Sequence, residues 1–149
     1  MEIRGWACGR LRLLVMLTAL SAVSAEAQHV DRAGVERAAL DHLEGSTGKI
    51  RRGVHPEVLK FGFYRESADE EYQRTPMSFD EMLQFATRVK ESGRHPGPGA
   101  PKRVEILDVL DQTAVAKVHA WWGTDCLSVA RYDGAWRIVQ VLWQSPPMD

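Results

Sequence analysis

The chain has 149 residues, 44% of them apolar and 26% charged, a balance that suits a folded globular protein and not a disordered one. Its 19 basic and 20 acidic side chains nearly cancel, so no bulk electrostatic pull toward nucleic acid follows. Two cysteines are too few for a disulfide framework.

The first element reads as an address. Arg4, Arg10 and Arg12 precede an apolar run from Leu13 to Leu20, which fades into small residues and ends in Ala25-Glu26-Ala27. A basic region, a short apolar core and an A-x-A site in that order form a secretory signal peptide over residues 1–27, cut between Ala27 and Gln28. The apolar segment is too short for a membrane anchor, since a spanning helix needs about 20 residues. Cleavage implies a secreted or periplasmic protein with no stable membrane insertion after processing. Cys8 leaves with the leader, and three of the 19 basic and two of the 20 acidic residues leave too, so residues 28–149 carry a net charge near −2. That length suits one domain with one core. Cys126, then the lone cysteine, reads as a small buried hydrophobe on a strand; a cross-link between two copies is the alternative.

Val35, Ala38, Ala39, Leu40 and Leu43 recur at helical spacing and Gly45 supplies a stop, giving a first helix. A shorter helix is expected over Thr47 to Val54, ended by His55-Pro56 because the residue before proline is pushed out of the αR region. Leu59 to Arg65 reads as a first strand. The stretch from Ser67 to Thr75 holds Asp69, Glu70, Glu71 and Arg74 and suits a solvated hairpin tip; it lacks the glycine-punctuated spacing of a calcium loop. Ser78 and Glu81 form a capping box that opens a helix carrying Met82, Leu83, Phe85, Ala86 and Val89, with a stop at Gly93. The proline- and glycine-rich segment 95–101 is a loop.

Four strand-like runs follow between Val104 and Trp143. Asp133-Gly134 suits a two-residue type I′ turn, which pairs Arg131 with Trp136, Val129 with Ile138 and Leu127 with Gln140. Leu127, Val129, Trp136, Ile138 and Leu142 then share the core face. If the loop from Trp122 to Asp125 is even in length, Ala116, Val118 and Ala120 extend that face and Lys117, His119 and Trp121 point away; an odd loop reverses them. Val139, Val141 and Trp143 fall on the opposite face, which is too apolar for water and calls for a homodimer through the sheet.

Together, the helices, the His55-Pro56-Glu57 junction, the capped helix and a last hairpin reading Asp-Gly-x-Trp-x-Ile-Val resemble the nuclear transport factor 2-like superfamily. Within it, VEILDVLDQTAVAKV and DGAWRIVQVLW are most similar to the bacterial subgroup called putative lumazine-binding, grouped with SnoaL-like polyketide cyclases. The resemblance covers about residues 30 to 145. It implies an α+β fold: a cone-shaped barrel of curved, mostly antiparallel sheet with N-terminal helices on its concave face, enclosing a pocket for a small organic ligand. Tyr64, Phe85, Asp108, Val118, Trp121, Leu127 and Gln140 are the pocket-lining candidates. The subgroup often has an aromatic residue where this chain has Cys126.

An acid–base enzyme of the same fold, such as an isomerase, dehydratase or cyclase, is the alternative, with Asp108, His119 and Tyr64 as candidates. Val104, Ile106, Asp108 and Leu110 alternate onto one strand face, which would carry a lone carboxylate into apolar surroundings. Tyr64 could hold an enolate oxygen. In the plainer reading Asp108 bonds a neighbouring loop and Tyr64 is a core residue. His42, His55 and His119 show no metal-ligand spacing, and no nucleophile elbow or phosphate loop is present, so neither metal nor cofactor is expected. A third reading is a dimeric interaction domain whose cone is filled by its own side chains.

Overall fold

The computed structural model describes residues 31–93, 97 and 99–148. The leader and the Ala27–Gln28 site lie outside them. The first helix, α1, occupies 31–44 and buries Val35, Ala38, Ala39, His42 and Leu43, a stripe at three- and four-residue spacing. It stops at Gly45, whose φ of 60° suits a residue without Cβ and whose N–H donates to Asp41 O at 3.2 Å. Ser46 then caps α2, Thr47–Gly53. Asp41 binds the Arg52 guanidinium through both carboxylate oxygens, at 2.6 and 2.8 Å, and so fixes α2 against α1.

The strands are β1 Val54–Tyr64, β2 Gln73–Met77, β3 Lys102–Val109, β4 Thr113–Ala120, β5 Gly123–Tyr132 and β6 Ala135–Gln144, with α3, Phe79–Glu91, between β2 and β3. They form one sheet in the order β2-β1-β6-β5-β4-β3, antiparallel except where β1 runs parallel to β6. The first strand is longer than its apolar residues suggest: it begins directly after α2 and runs through His55-Pro56 as β-structure, which proline's extended neighbour favours. The capping box on α3 is complete, with Glu81 accepting from Ser78 N at 2.7 Å and Ser78 accepting from Glu81 N at 3.3 Å. All three helices contribute to one cluster with the inner face of the sheet, in which Val35, Ile50 and Met82 pack with Val118, Leu127 and Ile138.

Asp133 and Gly134 both have positive φ, 49° and 79°, as the type I′ turn requires. Arg131 faces Trp136 and Val129 faces Ile138 as expected. Beyond that point the expected register fails. Val129 pairs with Ile138 but Ser128 pairs with Gln140, so Val139 is an extra, bulged residue. One extra residue reverses the parity of everything after it. Val141 is therefore fully buried, Leu142 is 38% exposed, and Trp143 packs against the core from the inner face, each opposite to the sequence expectation. Trp143 can lie there because its partner across the sheet is Gly62; a Cβ at Gly62 would fall 2.3 Å from the indole.

The turn between β4 and β5 is Trp121-Trp122, two residues, and not a loop from Trp122 to Asp125. This even connection puts Ala116, Val118 and Ala120 inward and Lys117 and His119 outward. Cys126 lies on the outer face and is exposed, so the buried assignment is corrected: it alternates with Asp125 and Leu127, which take the inner positions. A second bulge, at Leu107 in β3, pairs Ile106 with Ala116 and Asp108 with Val115.

Trp136 is 7% exposed and packs within the core, its indole edge occupying the space a Cβ on Gly34 of α1 would need. Trp136→Ala is expected to destabilise the fold by about 3–5 kcal/mol, the range for losing a buried large aromatic. Urea denaturation of parent and variant measures this directly, and an unchanged midpoint would contradict the packing.

Candidate functional site

The concave side of the sheet does not close completely on its helices. A cavity of about 680 Å³ remains between α1, α3 and the inner face of β1, β2 and β6. Alternation along β1 delivers Lys60 and Tyr64 to it, with Gly62 between them leaving room for Trp143. The hydrophobic face of α3 supplies Met82, Phe85, Ala86 and Val89, and β2 supplies Thr75 and Met77. Trp121 and Trp122 enter from the β4–β5 turn, and Lys102 stands at the start of β3. The wall is mostly apolar and aromatic, with a few polar groups.

At the inner end His42 of α1 meets Asp125 of β5, with Nε2 2.7 Å from Oδ2, and both side chains are buried. The other carboxylate oxygen accepts from Trp122 Nε1 at 3.1 Å. Burial pushes the His42 imidazole below its ordinary value of 6.5, against the pull of its hydrogen bond to Asp125, and nearby Lys60 lowers it further. For Asp125, burial acts to raise the carboxyl, but the His42 bond, the Lys60 charge and the Trp122 bond outweigh it and hold the group below 3.8. At neutral pH the pair is thus a carboxylate and a neutral imidazole. A carboxylate only accepts, so Nε2 carries the proton and Nδ1 keeps a lone pair. Nδ1 is buried and has no hydrogen-bond partner among the described residues.

Of the residues expected to line the pocket, Tyr64, Phe85 and Trp121 do so. Asp108 does not. The bulge at Leu107 turns it to the outside, where it is exposed and its Oδ1 accepts from its own neighbour's amide, Val109 N, at 2.9 Å. His119 also lies on the outer face, beside Arg103 at 2.8 Å and Thr124 at 3.4 Å. The two groups proposed to work with Tyr64 are therefore not brought together with it. Val118 and Leu127 are buried core residues behind the cavity wall, and Gln140 stands outside the sheet because the β6 bulge places Val141 inward. Among the described residues no cluster of three or more His, Cys, Asp or Glu could hold a metal ion.

The polar pair is what sequence reasoning missed, although a signal existed. His42 falls on the buried stripe of α1 with Val35 and Ala39, and Asp125 alternates with Leu127 and Val129. Two polar groups of complementary type at core positions need each other. Placing Asp125 in a loop hid its partner.

A family model described as Putative lumazine-binding matches residues 33–144. No curated protein matches the sequence. Among solved structures, the fold is similar to an NTF2-like protein of unknown function from Silicibacter pomeroyi, with 19% identity, a TM-score of 0.58, and coverage of 83% of this chain and 98% of that one. It is also similar to one from Shewanella baltica, with 18% identity, a TM-score of 0.57, and coverage of 78% and 94%. A third, from Methylobacillus flagellatus, has 18% identity, a TM-score of 0.56, and coverage of 78% and 92%. At these identities the structures speak for the fold, and the family model speaks for descent. The chain, an α+β arrangement of helices on a curved sheet whose fold is that of NTF2-like structures, belongs to the Putative lumazine-binding family.

Proposed function

We propose that this protein binds a small, mostly apolar organic ligand inside its cone. The observation that carries the reading is the cavity itself: about 680 Å³, walled by Phe85, Met82 and three tryptophans, and within the roughly 300–1,000 Å³ typical of small-molecule sites. A domain serving only as an interaction module has no use for an unfilled apolar cavity, because filling it with side chains would add stability. The family's description agrees with a ring-shaped ligand, which tryptophan faces suit. The leader pattern supports export, and the reading includes a homodimer through the outer sheet face, where Leu59, Phe63, Val115 and Leu142 are exposed.

A second reading, an acid–base enzyme, is favoured by one observation: a histidine oriented by a buried carboxylate lines the cavity. In this role His42, and not Asp108 or His119, would be the base, taking a proton on Nδ1 while Asp125 stabilises the imidazolium. Tyr64 remains a candidate hydroxyl at the same cavity.

Native mass spectrometry of the exported protein tests the first reading. Expected is a dimer of chains beginning at Gln28, with retained mass of a small organic molecule or uptake of an added bicyclic aromatic. A ligand-free protein that takes up no apolar probe would contradict it.

The protonation state of His42 gives a second expectation. Its folded pKa lies below 6.5, so the unfolded chain binds more protons as pH falls through 6.5, and stability must fall with it. The loss should reach up to about 1.4 kcal/mol per pH unit for this one group. It should be absent above that pH. Urea denaturation between pH 7.5 and 5 on parent and His42→Gln checks this: the variant's profile should be flatter below pH 6.5. Parallel profiles would mean that His42 titrates normally in the folded state.

A further inference from the structure

The charges lining the cavity are unbalanced. Glu44, its one acidic lining residue, is ion-paired to Lys49. The ammonium groups of Lys60 and Lys102 have no hydrogen bond or ion pair among the described residues. Lys102 is exposed and hydrated, whereas Lys60 sits half-buried on the inner face of β1, opposite the fully buried Val141. Asp125 is the negative group whose charge acts on Lys60, but its two oxygens are hydrogen-bonded to His42 and Trp122 and it forms no contact ion pair with the lysine. Burial pushes the Lys60 ammonium below its ordinary 10.5, and the attraction of Asp125 offsets this only in part. A desolvated cation whose counter-charge is not in contact with it is costly in an apolar wall.

A second polar group nearby is also unmatched. Trp143 Nε1 is a buried donor with no acceptor among the described residues. The sheet register sets Trp143 opposite Gly62, one inner-face position along from Lys60 opposite Val141, so both side chains belong to the same wall. Of the two, only Lys60, which is half-buried and lines the cavity, can meet a ligand there.

We infer that the ligand of the cone is an organic anion, an aromatic or alicyclic carboxylate or enolate, whose charged oxygen is held by Lys60. This rests on the reading that the cone binds a ligand and specifies its chemical class. The ring body lies among Trp121, Trp122 and Phe85, and the charge faces β1. Lys102 at the rim attracts the anion without selecting it, because its charge is already solvated.

Calorimetric titration with 2-naphthoate and 2-naphthamide tests this, because the two share size and shape and differ in charge. The parent protein should bind the carboxylate about tenfold more tightly or better, the scale of one partly buried ion pair. Lys60→Met should bring naphthoate down to the affinity of the amide, and continued binding of the amide reports that the cavity is intact. Lys60→Gln, read in the same way, stands in for the methionine variant if that variant does not fold. Lys60→Arg and Lys102→Gln should keep the preference. Equal affinity for the two probes in the parent would overturn the inference and leave the cone reading standing. A preference that survives Lys60→Met, or disappears with Lys102→Gln, would also overturn it. Failure of both probes to bind at millimolar concentration would remove both.

Discussion

A single extra residue in β6 decides what the inside of the cone is made of. Before Val139 the inward positions are Trp136 and Ile138; after it they are Val141 and Trp143. Because β6 lies at the centre of the sheet, between β5 and the parallel strand β1, its parity is read on both sides. Val141 inward matches Lys60 inward, and Trp143 inward requires the bare backbone of Gly62. Bulges also increase local twist and curvature, which a sheet needs in order to wrap around a cavity and not lie flat. Remove the bulge and Trp143 leaves the wall and Leu142 enters the core.

The buried His42–Asp125 contact works within that frame. Each group alone would be a costly orphan in the interior; together, with Trp122 on the second oxygen, they satisfy most of each other's requirements. The contact joins α1 to β5 across 83 positions of sequence, so it fixes the helix over the sheet as well as placing an imidazole at the cavity. Replacing the pair by apolar side chains need not weaken the fold, and its retention in a ligand-sized cavity is more readily understood through what it offers a bound molecule.

Much of the architecture was legible in the sequence because it is written in local rules. Ser78 and Glu81 announced α3, Asp133-Gly134 announced the last hairpin and its first pairs, and Gly45 announced the end of α1. The failures come from tertiary geometry. From Ile138 to Trp143 only Gln140 is polar, so alternation has no polar residue with which to mark a slipped register, and the bulge left no trace. The same holds at Leu107, between Ile106 and Asp108, where an apolar bulged residue reversed the face of the one carboxylate that looked catalytic. Of the site, the aromatic wall could be foreseen in Tyr64, Phe85 and Trp121. His42 and Asp125 left a signal as polar residues at core positions, but their pairing, like the role of Lys60, depends on which faces of α1, β5 and β1 meet across the cone.

The placement of Val141 and Leu142 is therefore where this account is most exposed. In a Cys126→Ser background, which removes the one exposed thiol among the described residues, Val141→Cys and Leu142→Cys can be compared by their rates of reaction with a charged, membrane-impermeant maleimide under native conditions. At dilutions where the chain is monomeric, so that the outer sheet face is uncovered, the bulge predicts rapid labelling at 142 and protection at 141 until the protein is denatured. Rapid labelling at 141 with protection at 142 would restore the unbroken register, turn Trp143 outward and contradict the cavity as described.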